Sequence, residues 1–368
     1  MGTKDLHIKP FDLGTLTKLE IFEKYTQAWI PVFAIAKGGN IFIVDFFAGT
    51  GYDLNGVPGS PIRILTKILE FSELLLKYRT KVHLHLNEYK KNKSNTLIKV
   101  CSEFIEKHPI LRQVLEIEYT SLDFEESFRK EYPLIKSLPA LVFLDQNGVK
   151  FLNSTYLNAL ESTKTTDFLY FVSTSFLKRF CETPEFKKLG YDLEVILKNP
   201  YRFIHQSLLD IIRAWLPTST NLKLYPFTIK KPSGIYGLVF GASHPAAVIK
   251  FLKIGWEQNT MNGSANFDIE DDLKKGQMNF FEPTKLTKIE HFQEELKREV
   301  LSGKVLSNHS AFFYTLDRGH IPSHAKVVLE NLKKAKLIDY SGNSPLITYE
   351  KVCKEKIWKE YILLKPNK

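Results

Sequence analysis

Over the first 260 residues, short apolar runs alternate with amphipathic stretches, which is the pattern of a parallel α/β sheet. Thr17–Phe33 reads as a helix, with Leu19, Ile21, Phe22, Tyr25, Ala28 and Trp29 near helical spacing. A Gly38-Gly39-Asn40 turn leads into Ile41–Asp45, an apolar run ending in a carboxylate, as expected of a strand covered on both faces. Pro61–Lys77 is the next helix, with Ser60 placed to cap it. Strands follow at Val82–Glu88, Leu115–Thr120, Ala140–Asp145 and Asp167–Ser175, with a helix at Leu97–His108 between the first two. Residues 178–216 are helical in pattern, most clearly at Tyr201–Trp215.

Two more strand-like runs, Leu222–Ile229 and Ile235–Gly241, are separated only by Lys230–Gly234. That spacer is too short for a helical crossover, so the two strands must be antiparallel neighbours. A dinucleotide-binding sheet is parallel throughout. Five βα units closed by a hairpin match instead the Rossmann-like sheet of class I S-adenosylmethionine (SAM) methyltransferases, seven strands with the last one antiparallel. The expected domains are a methyltransferase-like unit over residues 1–260, with a helical insertion near 178–216, a polar linker over 261–284, and a second domain over 285–368. In that last part, helices at Leu286–Leu301 and Ile321–Lys336 precede a hairpin from Leu337–Tyr340 and Leu346–Thr348, the layout of a winged helix-turn-helix.

Composition narrows the class. The chain has 368 residues, 43% hydrophobic and 25% charged, which is the balance of an ordinary globular protein. No uncharged apolar stretch reaches membrane-spanning length, and the first residues lack a secretory apolar block. Cys101, Cys181 and Cys353 are far apart, as suits reduced thiols in the cytoplasm. The net charge is +10, and the residues after 282 carry 16 Lys and Arg against 10 Asp and Glu. A basic tail of this kind can meet a polyanion.

Asp45-Phe46-Phe47-Ala48-Gly49-Thr50-Gly51 is the most informative stretch. A buried strand brings its end to a crevice, and Gly49 and Gly51 let backbone approach a ligand. Methyltransferases use this form to hold the methionine half of SAM, so Asp45, Phe47, Gly49 and Gly51 are cofactor candidates. The plainer alternative is a strand-to-turn glycine pair. Glu88, ending the second strand, can accept from both ribose hydroxyls, or can be a solvated strand-end acid beside Lys90 and Lys91. Asp123 can accept from the adenine amine, or can cap the helix that starts at Phe124. Asp145 closes the fourth strand where amino-group methyltransferases orient their target, but Gln146-Asn147-Gly148 replaces their prolines and aromatic and also reads as a turn. His83 with His85, and His320 with His324, have pairwise spacing without a third ligand in sequence reach, so no metal is expected. On the last long helix Ser323, His324, Lys326, Lys333 and Lys334 face outward or flank, suited to phosphates or simply to solvent.

Several segments together resemble the three-Cys-motif partner proteins. They are Lys18-Leu19-Glu20-Ile21 with Tyr25 and Ala28-Trp29, Asp45–Gly51, Gly59-Ser60-Pro61, Phe168–Ser175, Ile235–Pro245 and Ala265–Asp268. The resemblance implies a class I methyltransferase-like domain and a radical-SAM-like partner protein that bears the three cysteines. A more distant resemblance, to ribosomal-RNA adenine-N6 methyltransferases, runs through Lys18 and Ala48–Gly51 and implies a site role for Lys18. The expected activity is SAM-dependent methylation of nucleic acid, RNA or DNA. Its competitor is a non-catalytic adaptor of the same fold that binds nucleic acid or the partner.

Overall fold

The computed structural model describes residues 10–146, 151, 153–163, 165–173, 204–269 and 286–364. The element order is α1 (Leu13–Lys37), β1 (Gly39–Asp45), α2 (Ser60–Glu70), α3 (Ser72–Lys77), β2 (Thr80–Asn87), α4 (Lys91–Lys107), α5 (Leu111–Val114), β3 (Leu115–Thr120), α6 (Phe124–Ser137), β4 (Ala140–Leu144), α7 (Ser154–Glu161) and β5 (Thr166–Val172). It continues with α8 (Ile204–Ala214), β6 (Lys223–Lys231), β7 (Gly234–Ala242), α9 (Pro245–Gln258), α10 (Lys288–Leu301), α11 (Asn308–Asp317), α12 (Pro322–Lys334), β8 (Ile338–Asp339) and β9 (Ile362–Leu363). Contacts divide the chain into two compact units, Met1–Ala247 and Val248–Lys368.

In the first unit, seven strands run in the order β3-β2-β1-β4-β5-β7-β6. The β1–β2, β1–β4, β2–β3 and β4–β5 pairs are parallel, while β7 is antiparallel to both β5 and β6. This is the Rossmann-like methyltransferase sheet with its reversed strand, as the short Lys230–Gly234 spacer predicts. Every residue of β4 and β5 is buried, which explains their unbroken apolar runs. Gly241 of β7 faces Phe168 of β5, and a Cβ on Gly241 would stand 2.1 Å from the Phe168 ring. The strand order reverses between the parallel neighbours β1 and β4, so the carboxyl ends of these strands border the crevice where such sheets bind ligands.

Several local expectations need correction. The helix drawn over Pro61–Lys77 is two helices, α2 and α3, broken at Phe71. Ser60 is the first helical residue rather than the cap; Gly59 takes that place, which frees the Ser60 hydroxyl for another partner. Of residues 178–216, only those from 204 on fall among the described residues.

In the second unit, α10, α11 and α12 enclose a small core of Phe292, Leu296, Ala311, Ala325, Leu329 and Leu332, completed by Tyr340 and Tyr361. The helix-turn-helix is α11 followed by α12. The wing differs from the expected hairpin: β8 pairs with β9, not with Leu346–Thr348. Leu346 has φ +54°, which breaks an extended run, and the Asn308 side chain instead donates to the carbonyls of Leu346 and Ile357. Of the expected linker, residues 270–284 lie outside the described residues; residues 261–269 fold around buried Asn262, which accepts from the Ser264 and Ala265 amides. Among the described residues, no helix is long and apolar enough to cross a membrane.

Candidate functional site

Asp45 ends β1 with its side chain fully buried. Its Oδ2 accepts from the Ser60 hydroxyl at 2.6 Å and its Oδ1 from the Phe47 amide at 3.0 Å. Burial nevertheless dominates and pushes its pKa up to about 7; the two hydrogen bonds oppose the rise, and the nearby charges of Asp145 and Lys18 act in opposite directions. Phe47 contributes its backbone to Asp45, while its ring stacks on Phe124.

The turn beyond Asp45 needs its glycines. Gly49 and Gly51 have φ of +70° and +90°, a region that side chains disfavour. A Cβ on Gly51 would also meet Val100 of α4 at 3.0 Å. Glu88, just past β2, holds this turn from the side: its Oε2 accepts from the Gly49 amide at 3.1 Å and its Oε1 from the Lys90 amide at 2.9 Å. Each carboxylate oxygen keeps acceptor capacity beyond those bonds. Asp123 is exposed and caps α6, accepting from the Glu126 amide at 2.9 Å. Buried Asn87 ties the neighbouring loops together, donating to the carbonyls of Phe46 and Leu122 and accepting from the Leu122 amide.

Lys18 and Asp145 are 127 residues apart in sequence and form an ion pair, with side chains 6% and 22% exposed. Lys18 comes from α1 and Asp145 from the residue after β4. The Lys18 ammonium also lies 4.4 Å from the centroid of the Phe171 ring, near the end of β5. A second lysine enters from β6. The Lys231 ammonium stands 5.1 Å from the same ring and 5.0 Å from Tyr236, and donates to Thr15 Oγ1 at 2.8 Å. Burial, then the Lys18 charge, lowers the Lys231 pKa to about 8. Gly14 makes room for the Lys231 stem, since a Cβ there would stand 2.4 Å from the Lys231 Cγ.

Thus Asp45, Gly49 and Glu88 form one cluster along β1 and β2, and Lys18 with Asp145 a second beside β4. Ser60, Asn87, Phe171 and Lys231 were not expected from sequence as site residues. Asn87 sits next to Glu88 and was the most accessible of them; the Lys231 contact to Thr15 spans 216 residues and has no local signature.

On α12, Ser323, Lys326 and Lys334 are exposed, and Lys326 pairs with Glu330 at 3.6 Å. Lys333 is occupied within the wing, donating to the carbonyls of Tyr340 and Gly342 and pairing with Asp339. His324 is half-buried, edge-on to Trp256 and 3.0 Å from His320 between Nδ1 atoms. Burial lowers its pKa to about 4, so it adds no positive charge at neutral pH.

The GMT-like wHTH domain family matches residues 268–345. Among solved structures, Trm1 from Pyrococcus horikoshii in complex with SAM is similar at 10% identity and a TM-score of 0.36, over 66% of this chain and 58% of that one. A putative O-methyltransferase from Klebsiella pneumoniae aligns at 12% identity and a TM-score of 0.30, over 64% and 91%. The O-methyltransferase TomG from Streptomyces achromogenes, in complex with SAM, aligns at 9% identity and a TM-score of 0.30, over 64% and 91%. This chain therefore spans less than two thirds of the Trm1 chain. No curated protein matches its sequence. The first unit is thus a seven-stranded Rossmann-like sheet with one reversed strand, and residues 268–345 carry the match to the winged helix-turn-helix family.

Proposed function

We propose that this protein is a SAM-dependent methyltransferase acting on nucleic acid. The observation that carries the reading is the Asp45 carboxyl: fully buried at the switch point, beside a positive-φ glycine turn, it makes no direct ion pair among the described residues, and burial outweighs the favourable Lys18 charge. The residues fit the cofactor, since an amino-acid ammonium would supply that pairing. Gly49 and Gly51 set the positive-φ turn beside Asp45, and Glu88 offers acceptors to a ribose diol; Asp123 lies on the next loop for the adenine amine. When bound, SAM supplies an electrophilic methyl group. The chain's own task is orientation, which accounts for much of the rate in direct transfer. Asp145 would hold the target nucleophile in line, and Lys18, through its ion pair, would keep the Asp145 carboxylate aimed. The proposed methyltransferase domain covers residues 1–260 and the winged domain 285–368, which would dock nucleic acid through Ser323, Lys326 and Lys334. The partner implied by the three-Cys-motif resemblance would join this assembly, and co-purification of the two proteins tests that part.

Radiolabelled methyl transfer from SAM to RNA and DNA tests the activity. Transfer to one of them is expected, reduced about 10²-fold by Asp145→Asn, a loss typical of a mispositioned nucleophile. An unchanged rate in that variant would remove Asp145 from the site. SAM binding without any transfer would favour the adaptor, a reading supported by the ion pair that already occupies Asp145.

A further inference from the structure

The β2–β3 edge of the sheet carries a second cluster, apart from the cofactor crevice. His85 of β2 is 1% exposed and Glu131 of α6 2%, and Glu118 lies beside His85 in the ladder register. Their ligating atoms all lie within 4.8 Å of one another. The hydrogen-bond inventory fixes the imidazole. Asn87 Oδ1 cannot donate, so the Thr120 hydroxyl gives its hydrogen to it at 2.7 Å. Thr120 Oγ1 must then accept from His85 Nε2 at 2.9 Å, which leaves the Nδ1 lone pair of the neutral ring facing α6. There Nδ1 has no hydrogen-bond partner, and neither has Glu131 Oε1, although the two atoms are only 3.2 Å apart. Glu118 Oε2 is 3.8 Å from the same nitrogen.

Two buried lone-pair atoms at this distance repel unless a proton or a metal cation lies between them, and a metal also gathers the third ligand, Glu118. Ligands about 2.0–2.1 Å from a tetrahedral zinc stand roughly 3.3–3.4 Å apart, close to the observed spacing. We propose that His85, Glu118 and Glu131 bind a zinc-type divalent cation that fastens α6 to the sheet edge. One nitrogen and two carboxylates suit zinc or cobalt rather than magnesium, which prefers oxygen ligands. The Thr120 hydroxyl is the outer partner that holds the imidazole in its ligating form. Lys130 is the present counter-ion: its ammonium pairs with Glu118 and lies 3.7 Å from Glu131 Oε1. Its side chain is 42% exposed and can withdraw to solvent when a metal enters. The His85–Thr120–Asn87 chain continues to the loop at Leu122, so the metal would also brace the segment leading to Asp123.

Titration of the metal-free full chain with Co2+ tests this. One equivalent should produce the visible absorption of a four-coordinate site, quenched by Zn2+ and not by excess Mg2+. His85→Ala and Glu131→Gln should abolish the band, and Glu118→Gln, at a side chain that is 54% exposed, should weaken binding at least about tenfold. Lys130→Met removes the competing ammonium and should tighten binding several-fold. No visible band in either the parent chain or Lys130→Met would overturn the site. A band unchanged by Glu118→Gln and His85→Ala would overturn these ligands.

Discussion

Near pH 7 the Asp45 carboxyl is balanced between its two forms, because burial opposes its charge more than Ser60 and Phe47 favour it. A cofactor ammonium would pair with the ionised form, so its binding must lower the Asp45 pKa. Affinity for SAM should then fall as pH drops below about 7, by at most about tenfold per unit. On the alkaline side an α-amino group itself loses its proton near about 7.7–8.0, so affinity should peak between these values. Binding constants measured from pH 5.5 to 9 check this. Asp45→Asn should bind more weakly and lose the acid limb; an acid limb retained in that variant would assign the titration elsewhere. The lysine pair is the other residue-scale feature. Phe171 lies within cation–π reach of both Lys18 and Lys231; Lys18 pairs with Asp145 and Lys231 with Asp12 at 3.7 Å, and burial with the Lys18 charge still lowers the Lys231 pKa to about 8.

The β5–β7 pair depends on an absent side chain. Phe168 lies over Gly241, and a methyl group at Gly241 would overlap its ring, so Gly241→Ala should destabilise the first unit by about 1–3 kcal/mol. A lower urea midpoint checks it, and an unchanged midpoint would show that the ring moves aside freely. At this scale the sequence was readable wherever burial was uniform. β4 and β5 lie within a residue or a few of their expected bounds, because strands covered on both faces leave continuous apolar text; β3, the partly exposed edge strand, also falls at its expected bounds, without such a run. The antiparallel end of the sheet followed from the length of a spacer alone. The wing was misread because Leu337–Tyr340 finds its partner beyond a long excursion, at Ile362–Leu363. α11 escaped because its start is a reciprocal Ser307–Ser310 cap without an acidic residue. For the site, strand-end acids and the glycine turn were legible, since each is local. The Ser60–Asp45 bond, the Asn87 bracket and the meeting of Lys18 with Asp145 were not, since each depends on tertiary placement.

Across the whole molecule, the positive charge is uneven, with about +6 of the +10 after residue 282. Through this tail, binding of duplex RNA or DNA to the full chain should weaken steeply with salt as counterions are released. Replacing Lys326 or Lys334 with Ala should each reduce the slope of log K against log salt by about one, with little effect on folding, as both are exposed. Lys333→Ala should instead loosen the wing, since its ammonium holds two carbonyls there. A flat salt dependence would count against nucleic acid as the ligand of the winged domain. The most direct measurement of all is calorimetric titration of the purified chain with SAM. Micromolar binding is expected, weakened at least about tenfold in both Asp45→Asn and Glu88→Ala, because loss of a charged hydrogen bond costs roughly 1.5–3 kcal/mol. No heat of binding, or the same affinity in all three proteins, would contradict a cofactor crevice at the ends of β1 and β2.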